Sequence, residues 1–213
     1  MIDHRMDWDR GTRTGTSEAV LCDSKSVDQI AAILRTAEAA RKRLLLTRLS
    51  ADMAATLARK TLDYDSVSQT AILGGLAPQP MRTGIGIVAA GTSDLPIAAE
   101  AQRTLAFHGA EAPITSDVGV AGLWRLMDEI EALRRHRILI AVAGMEGALF
   151  SVLAGLTRAP IIAVPSPVGY GVAQGGRLAL DAALGSCAPG LVTVNIGNGF
   201  GAACAALRML GDR

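Results

Sequence analysis

Residues Gly84–Ala101, GIGIVAAGTSDLPIAAEA, decide the fold class of this chain. An apolar run, Ile85, Ile87, Val88, Ala89 and Ala90, suits a strand buried on both faces. It breaks at Gly91-Thr92-Ser93-Asp94 and resumes at Pro96 as a helix. Asp94 is a natural N-cap there, and Pro96 fits the first helical turn. A strand, a small polar turn and a helix in that order aim unpaired N–H groups and the positive end of a helix dipole at one point. Such a point binds anions, phosphate above all. An ordinary capped βα turn reads the same way, so these residues alone fix fold rather than function.

Outward from this stretch the pattern repeats. Apolar strands are expected at Gly84–Ala90, Pro113–Thr115, Ile138–Val142, Pro160–Val164 and Leu191–Asn195. They alternate with helices at Leu95–His108, Val120–Arg135, Met145–Thr157, Gly175–Leu184 and Gly199–Leu210. In the second of these, Leu123, Met127, Ile130 and Leu133 mark the expected buried face. Regular β–α alternation predicts an α/β fold: a three-layer, Rossmann- or flavodoxin-like parallel sheet of about five strands.

Residues 84–213 are therefore read as one α/β domain, and Leu76–Thr83, with two prolines and no period, as a linker. Before it, residues 1–75 suggest a small N-terminal αβ domain. Residues 1–26 read as an irregular arm with a short strand at Glu18–Cys22. Ser26 caps a helix from Val27, Arg41-Lys42-Arg43 follow its end, and Leu44–Arg48, Ser50–Lys60 and Val67–Leu73 read as strand, helix and strand.

The composition narrows the function. A formal charge of +1 over 213 residues gives no electrostatic case for nucleic acid or an acidic membrane. Aromatic residues are scarce at 3%, so Ala, Leu, Val, Ile and the 23 glycines must pack the core. Three cysteines, Cys22, Cys187 and Cys204, with no CxxC spacing, predict neither a disulfide framework nor a zinc site, and a reducing cytoplasm is the expected compartment. No signal peptide or membrane-length apolar run is evident.

In open parallel sheets ligands bind beyond the carboxyl ends of the strands. The segments expected there are Gly91-Thr92-Ser93-Asp94, then Ser116-Asp117-Val118-Gly119-Val120-Ala121-Gly122, then Ala143-Gly144-Met145-Glu146-Gly147, then Pro165-Ser166-Pro167-Val168-Gly169-Tyr170-Gly171, then Gly197-Asn198-Gly199-Phe200-Gly201. Five glycine-bearing turns on one rim imply a ligand approaching the backbone. Glu146 opens an apolar helix at the cleft, placed to bind a cation or move a proton. Asp94 and Asp117, each taken alone, read as caps. No GxGxxG or Walker pattern follows the first strand. Cys187 precedes the last strand, so topology puts it at the opposite end of the sheet from the rim, where a small buried cysteine is the ordinary reading.

The runs AAGTSDLPIAAEA, SDVGVAG, AGMEGALFSVLAGL, IIAVPSPVGYG, SCAPGL and VNIGNGFGAA resemble the LarB family of pyridinium biscarboxylic acid mononucleotide synthases. The likeness covers most of residues 84–205, a segment also similar to the PurE-like carboxyaminoimidazole ribonucleotide mutases. Asp9-Arg10, Arg13, Gly15, Glu18 and Lys25 agree with the family more weakly. The resemblance implies carboxylation of the pyridinium ring of nicotinic acid adenine dinucleotide, with hydrolysis of its phosphoanhydride and release of AMP, a first step toward a nickel-pincer cofactor. It makes Cys187 the thiolate that adds to the ring, and Glu146, Ser93 and Asp117 further catalytic candidates. Gly91, Thr92, Ser93, Asp94, Val118, Gly119, Gly144, Met145, Glu146, Gly147, Gly169, Asn198 and Gly199 are the candidate substrate-binding positions. CO2 or bicarbonate is the implied co-substrate, Mg2+ a candidate ion with no ligand set assigned, and a homo-oligomer, an octamer by likeness, the implied assembly. No bound organic cofactor is expected. A cleft at a subunit interface or a curled loop are the two ways for Cys187 to reach the rim.

The chain departs from the family pattern at Trp124, where a His is expected, and at Pro167, for a Ser. Gln174 stands for an aromatic residue and Gly197 for an Asp. These changes point to lost ligand contacts or a shifted substrate. Two alternatives stand beside the synthase: a carboxylase or mutase acting on an imidazole ribonucleotide, and a non-catalytic nucleotide-binding paralogue.

Overall fold

A computed structural model describes residues 4–77 and 81–211. The N-terminal part carries α1 (Arg10–Thr14), β1 (Ala19–Leu21), α2 (Val27–Ala39), β2 (Leu44–Thr47), α3 (Ala51–Leu57), β3 (Leu62–Asp65) and β4 (Thr70–Leu73). Its sheet runs β1-β2-β4-β3, with β1 parallel to β2 and the other neighbours antiparallel. Ser26 does cap α2, in a reciprocal capping box with Gln29. Three expectations need correction. The arm holds the short helix α1. The helix expected to Lys60 ends at Leu57, because Ala58 turns left-handed at φ 41. The strand expected at Val67–Leu73 is the second arm of a hairpin whose first arm, β3, alternates Leu, Asp, Tyr, Asp and was not recognised.

Within the expected linker, residues 78–80 lie outside the described residues, and β5 (Met81–Arg82) pairs in parallel with β7 (Ala110–Glu111). The remaining elements are β6 (Ile85–Ala89), α4 (Leu95–Phe107), β8 (Ile114–Thr115), α5 (Leu123–Leu133), β9 (Ile138–Ala143), α6 (Ala148–Leu156), β10 (Ile161–Pro165), α7 (Arg177–Leu184), β11 (Leu191–Thr193) and α8 (Gly199–Leu210). The five-stranded sheet is wholly parallel in the order β11-β10-β9-β6-β8, so the chain reverses direction across the sheet between β6 and β9.

Both faces of these strands are covered. Ile85, Ile87, Ile138, Ile140, Val142, Ile162 and Val164 pack under α4 and α8, while Val88, Leu139, Ala141, Ile161 and Ala163 pack under α5, α6 and α7. Alanines at 98, 101, 202, 203 and 206 let α4 and α8 lie close on the sheet. The buried face of α5 is Leu126, Ile130 and Leu133; Leu123 and Met127 are exposed, one position off the expected stripe. Three helices also start later than expected. A 3-10 turn occupies Val120–Gly122, and Gly147 and Gly176 hold positive φ just before α6 and α7. That left-handed backbone cannot continue a helix toward its N-terminus.

The N-terminal sheet is itself sandwiched. Val20, Leu44 and Leu46 face α2, whereas Leu45 and Ile72 face Phe107 of α4. Arg43 lies over the Phe107 ring at 4.6 Å and donates to its carbonyl at 2.7 Å. At the far end of the junction, Arg48 donates to the Gly197 carbonyl at 3.0 Å.

Candidate active site

The reversal between β6 and β9 opens a cleft of about 380 Å³ at the carboxyl ends of the strands. Among the expected site residues, Gly91, Ser93, Asp94, Asp117, Gly119, Gly144, Met145 and Glu146 line it. Thr92, Val118, Gly147 and Gly169 stand in the same turns but do not line the cleft. Asn198 and Gly199 begin α8 on the other side of the rim, with Asn198 capping that helix through the Gly201 N–H.

The GTSD turn is a single 3-10 turn, Thr92–Asp94, and Asp94 holds the expected N-cap position of α4, although its carboxylate makes no capping bond to that helix. Its Oδ2 turns back to accept from Gly91 N–H at 3.0 Å. The carboxylate is 4% exposed, and Oδ1 has no hydrogen-bond partner. Burial raises its pKa above the ordinary carboxylate range, an effect offset in part by the Ser166 hydroxyl and the Gly91 and Gly144 N–H groups facing it. A buried oxygen with an unused lone pair asks either for a proton or for a ligand donor. The folded protein holds protons on Asp94 that the unfolded chain releases. Stability is therefore expected to fall as pH rises from the ordinary carboxylate range through the raised value, and to stay reduced above it. Denaturant unfolding of the Asp94→Asn protein should show a shallower fall over the same window. Each tenfold difference in proton affinity is worth about 1.4 kcal/mol; identical slopes for the two proteins would place the titrating group elsewhere.

Opposite Asp94, Asp117 and Arg125 form an ion pair at 2.6 Å across the mouth. Arg125 is the cation lining this cleft, and the sequence reading missed it. The signal was available: a cation in the first turn of α5 opposes the helix dipole and so asks for a local reason. Gly122 provides the room, since a Cβ there would stand 2.8 Å from Arg125 Nε. Asp117 and Met145 both hold left-handed backbone, φ 59 and 52, at the cleft wall. Strain of this kind collects at ligand sites. Glu146 is exposed at the edge. Ser166, in one of the expected rim turns but not singled out there, is wholly buried between two prolines.

Cys187 does not reach this cleft within one chain. It lies in the loop between α7 and β11, and Leu191 of β11 pairs with Ile161, the first residue of β10. The loop is therefore at the amino ends of the strands, the length of β10 away, about 16 Å at 3.3 Å per residue. The neighbouring Ser186 hydroxyl is bonded to Ser151 of α6 at 2.7 Å, which ties the loop to that helix. Cys187 is nevertheless the exposed thiol. Cys22 and Cys204 are covered, and burial pushes their pKa values up to about 12 and about 11. Neither of those two is suited to act as a thiolate.

The four departures also fall outside the cleft. Trp124 is 68% exposed on the outer side of α5, and Gln174 is exposed in the turn before α7. Pro167 and Gly197 line a neighbouring hollow between the two parts of the chain. None of the four lines this cleft, while Trp124 shares a neighbouring hollow with Asp117 and Arg125. Another hollow, of about 500 Å³, lies by the end of α4 beside Arg43 and His108. Arg43 donates to the Gly75 and Phe107 carbonyls there, and the His108 ring bonds the Ser17 N–H and the Thr104 carbonyl. No group of three or more His, Cys, Asp or Glu residues able to hold a metal ion occurs among the described residues. No helix among them is long and apolar enough to cross a membrane.

Comparison with known proteins agrees with this geometry. Residues 3–74 match the LarB/PurE-like N-terminal domain, and residues 84–213 match AIR carboxylase. An uncharacterized protein of Methanocaldococcus jannaschii is 36% identical, the match covering 93% of this chain and 80% of the relative. A parallel sheet with a cleft at its reversal point, carrying a GTSD turn and preceded by this N-terminal domain, places the chain in the LarB/PurE-like AIR carboxylase family.

Proposed function

We propose that the protein carboxylates the pyridinium ring of nicotinic acid adenine dinucleotide and hydrolyses the phosphoanhydride, releasing AMP. The observation that carries this reading is the pairing of the LarB-type N-terminal domain with a carboxylase domain whose cleft holds Asp94, Asp117 and Glu146. The electron-poor ring accepts the Cys187 thiolate, and the addition turns it into an enamine. A neighbouring ring carbon then attacks CO2. Loss of that carbon's proton and expulsion of the thiolate restore the aromatic ring, so a hard substitution is divided into easier steps. A soft thiolate that is also a good leaving group is what such an addition requires.

Because Cys187 and the cleft lie at opposite ends of one sheet, the thiolate comes to the cleft from a second copy of the chain. Glu146, exposed at the edge of the cleft, takes the ring proton. Ser93 and the N–H groups of its turn hold phosphate oxygens. The described residues do not build a resident metal site, and no step here is assigned to Mg2+, which would accompany the substrate's phosphates. The test is incubation of the pure protein with nicotinic acid adenine dinucleotide, bicarbonate and Mg2+. AMP and a ring-carboxylated mononucleotide are expected in equal amounts; neither appearing would reject the reading.

A second reading is favoured by the distance of Cys187 from the cleft: a carboxylase or mutase acting on an imidazole ribonucleotide, which needs no thiolate. Full activity of a Cys187→Ala protein on that substrate would select it.

A further inference from the structure

The hollow of about 500 Å³ by the end of α4 has the size of a small-molecule site and stands apart from the rim. The GTSD turn leads into α4 at one end, and Phe107 and His108 reach the hollow at the other, about 20 Å away for a helix of 13 residues. Its remaining walls are the N-terminal arm at Asp7, Trp8 and Glu18 and the turn Arg41-Lys42-Arg43 between α2 and β2. We propose that this hollow binds a small phosphate-bearing molecule, the phosphate on Arg41, Lys42 and Arg43 and the organic part against Trp8.

The charge of the walls favours an anion. Three cations face two carboxylates, and both carboxylates are in use: Asp7 pairs with Arg13 at 2.6 Å, and Glu18 accepts the Asp7 N–H, also at 2.6 Å. Arg41 and Lys42, by contrast, make no ion pair or side-chain hydrogen bond among the described residues. Arg43 is held in place. Its Nε donates to the Gly75 carbonyl at 2.9 Å and one Nη to the Phe107 carbonyl at 2.7 Å, which leaves three of its five N–H groups for a ligand. One fixed guanidinium beside two unpaired cations is a donor set that suits phosphate oxygens. His108 adds no charge. Its Nε2 accepts the Ser17 N–H at 3.1 Å, so Nδ1 carries the proton and donates to the Thr104 carbonyl, and burial lowers its pKa.

The backbone supplies a second observation. α2 ends in a Schellman motif, in which the Lys42 N–H bonds the Ala37 carbonyl at 2.9 Å and the Arg41 N–H the Glu38 carbonyl at 3.0 Å. Arg41 thus takes the left-handed position, φ 53, where glycine is the usual residue. The dipole of α2 welcomes a cation anywhere near its end and does not ask for one on strained backbone. An arginine kept at that position points to a use for its side chain.

The two tryptophans of the chain are Trp8 and the exposed Trp124 of α5, so in the Trp124→Phe protein tryptophan emission comes from this hollow alone. The experiment titrates that full-length protein with AMP, ribose 5-phosphate, inorganic phosphate and adenosine, and repeats the titrations with Arg41→Gly or Lys42→Gln added. AMP and ribose 5-phosphate are expected to change the Trp8 emission saturably at millimolar concentration or below, adenosine is not, and the tighter of the two esters names the organic part. Each added substitution is expected to weaken the phosphate esters at least tenfold. Glycine adopts φ 53 without strain, so Arg41→Gly should melt no lower than its parent, and weaker binding by it is not a folding defect. No saturable change with any phosphate, adenosine bound as tightly as AMP, or affinities unchanged in both variants would overturn the site. Turnover of a pyridine dinucleotide, or its absence, bears on none of these outcomes.

Discussion

The Cys187→Ser protein is expected to form no covalent adduct with nicotinic acid adenine dinucleotide and to lose AMP-coupled carboxylation by at least about 10³-fold. Serine keeps the shape but is neither ionised at neutral pH nor a ready leaving group from a dihydropyridine carbon, so both halves of the covalent route fail together. Cys187 is exposed, with its neighbour Ser186 rather than its own sulfur holding the loop, so stability should be nearly untouched. Intact-protein mass spectrometry reads the adduct, and an adduct that survives the substitution takes Cys187 out of the mechanism. A mixing experiment then locates the thiolate. Cys187→Ser and Glu146→Gln chains should each be inactive alone. If the cleft of one chain uses the cysteine of another, dissociating and reassembling the mixture restores about one quarter of native activity, since random pairing makes that share of sites intact. If both groups served from the same chain, no mixed assembly would contain an intact site and no activity would return.

What the sequence shows about this molecule depends on how local the signal is. The parallel sheet was legible because strands such as Ile85–Ala89 and Ile161–Pro165 are buried on both faces and read as unbroken apolar runs. The hairpin β3–β4 was not, because Leu62–Asp65 alternates with aspartates and its identity depends on pairing with Thr70–Leu73. Helix starts at the rim were placed too early for the same reason in reverse. Gly147 and Gly176 stand directly before α6 and α7, and their positive φ, at which an added Cβ would stand 2.8 Å from Phe150 and 2.6 Å from the Ser166 carbonyl oxygen, shows only in the fold. In the site, Gly91, Ser93, Asp94, Asp117, Gly144 and Glu146 could be gathered from the rim rule alone. Arg125 lies on a helix rather than in a turn, so that rule passed over it; Ser166 was gathered with its turn, but its complete burial shows only in the fold. The capping bond expected of Asp94 was misjudged because a capping carboxylate and one folded back on its own turn share one sequence.

Gly144→Ala is the substitution expected to damage the cleft most without touching a reactive group. At this position a Cβ would stand 2.1 Å from the Val168 carbonyl oxygen, a separation no real contact shows. The oxygen cannot move aside cheaply, because it accepts the Met145 N–H at 2.8 Å and so ties the turn after β9 to the turn after β10. Met145 is already strained at φ 52, so the backbone has little freedom left to absorb the displacement. Overpacking a tight site costs about 1–3 kcal/mol, and the lost bond leaves two polar groups to find water. For a chain of this size each kcal/mol lowers Tm by about 2–4 °C, so a fall of roughly 5–10 °C is expected. The functional loss should exceed the stability loss. Spreading the two turns displaces the Gly144 N–H from Asp94 and widens the floor on which the ring must lie, so mononucleotide affinity should fall at least tenfold under conditions where the variant is fully folded. Gly155→Ala is the control. It sits on α6 with nothing within 4 Å of a new Cβ, and alanine there should be neutral or stabilising because it restricts the unfolded chain. Equal behaviour of the two alanine variants in melting and in ligand binding would show that the close approach of the two turns is not what shapes the cleft.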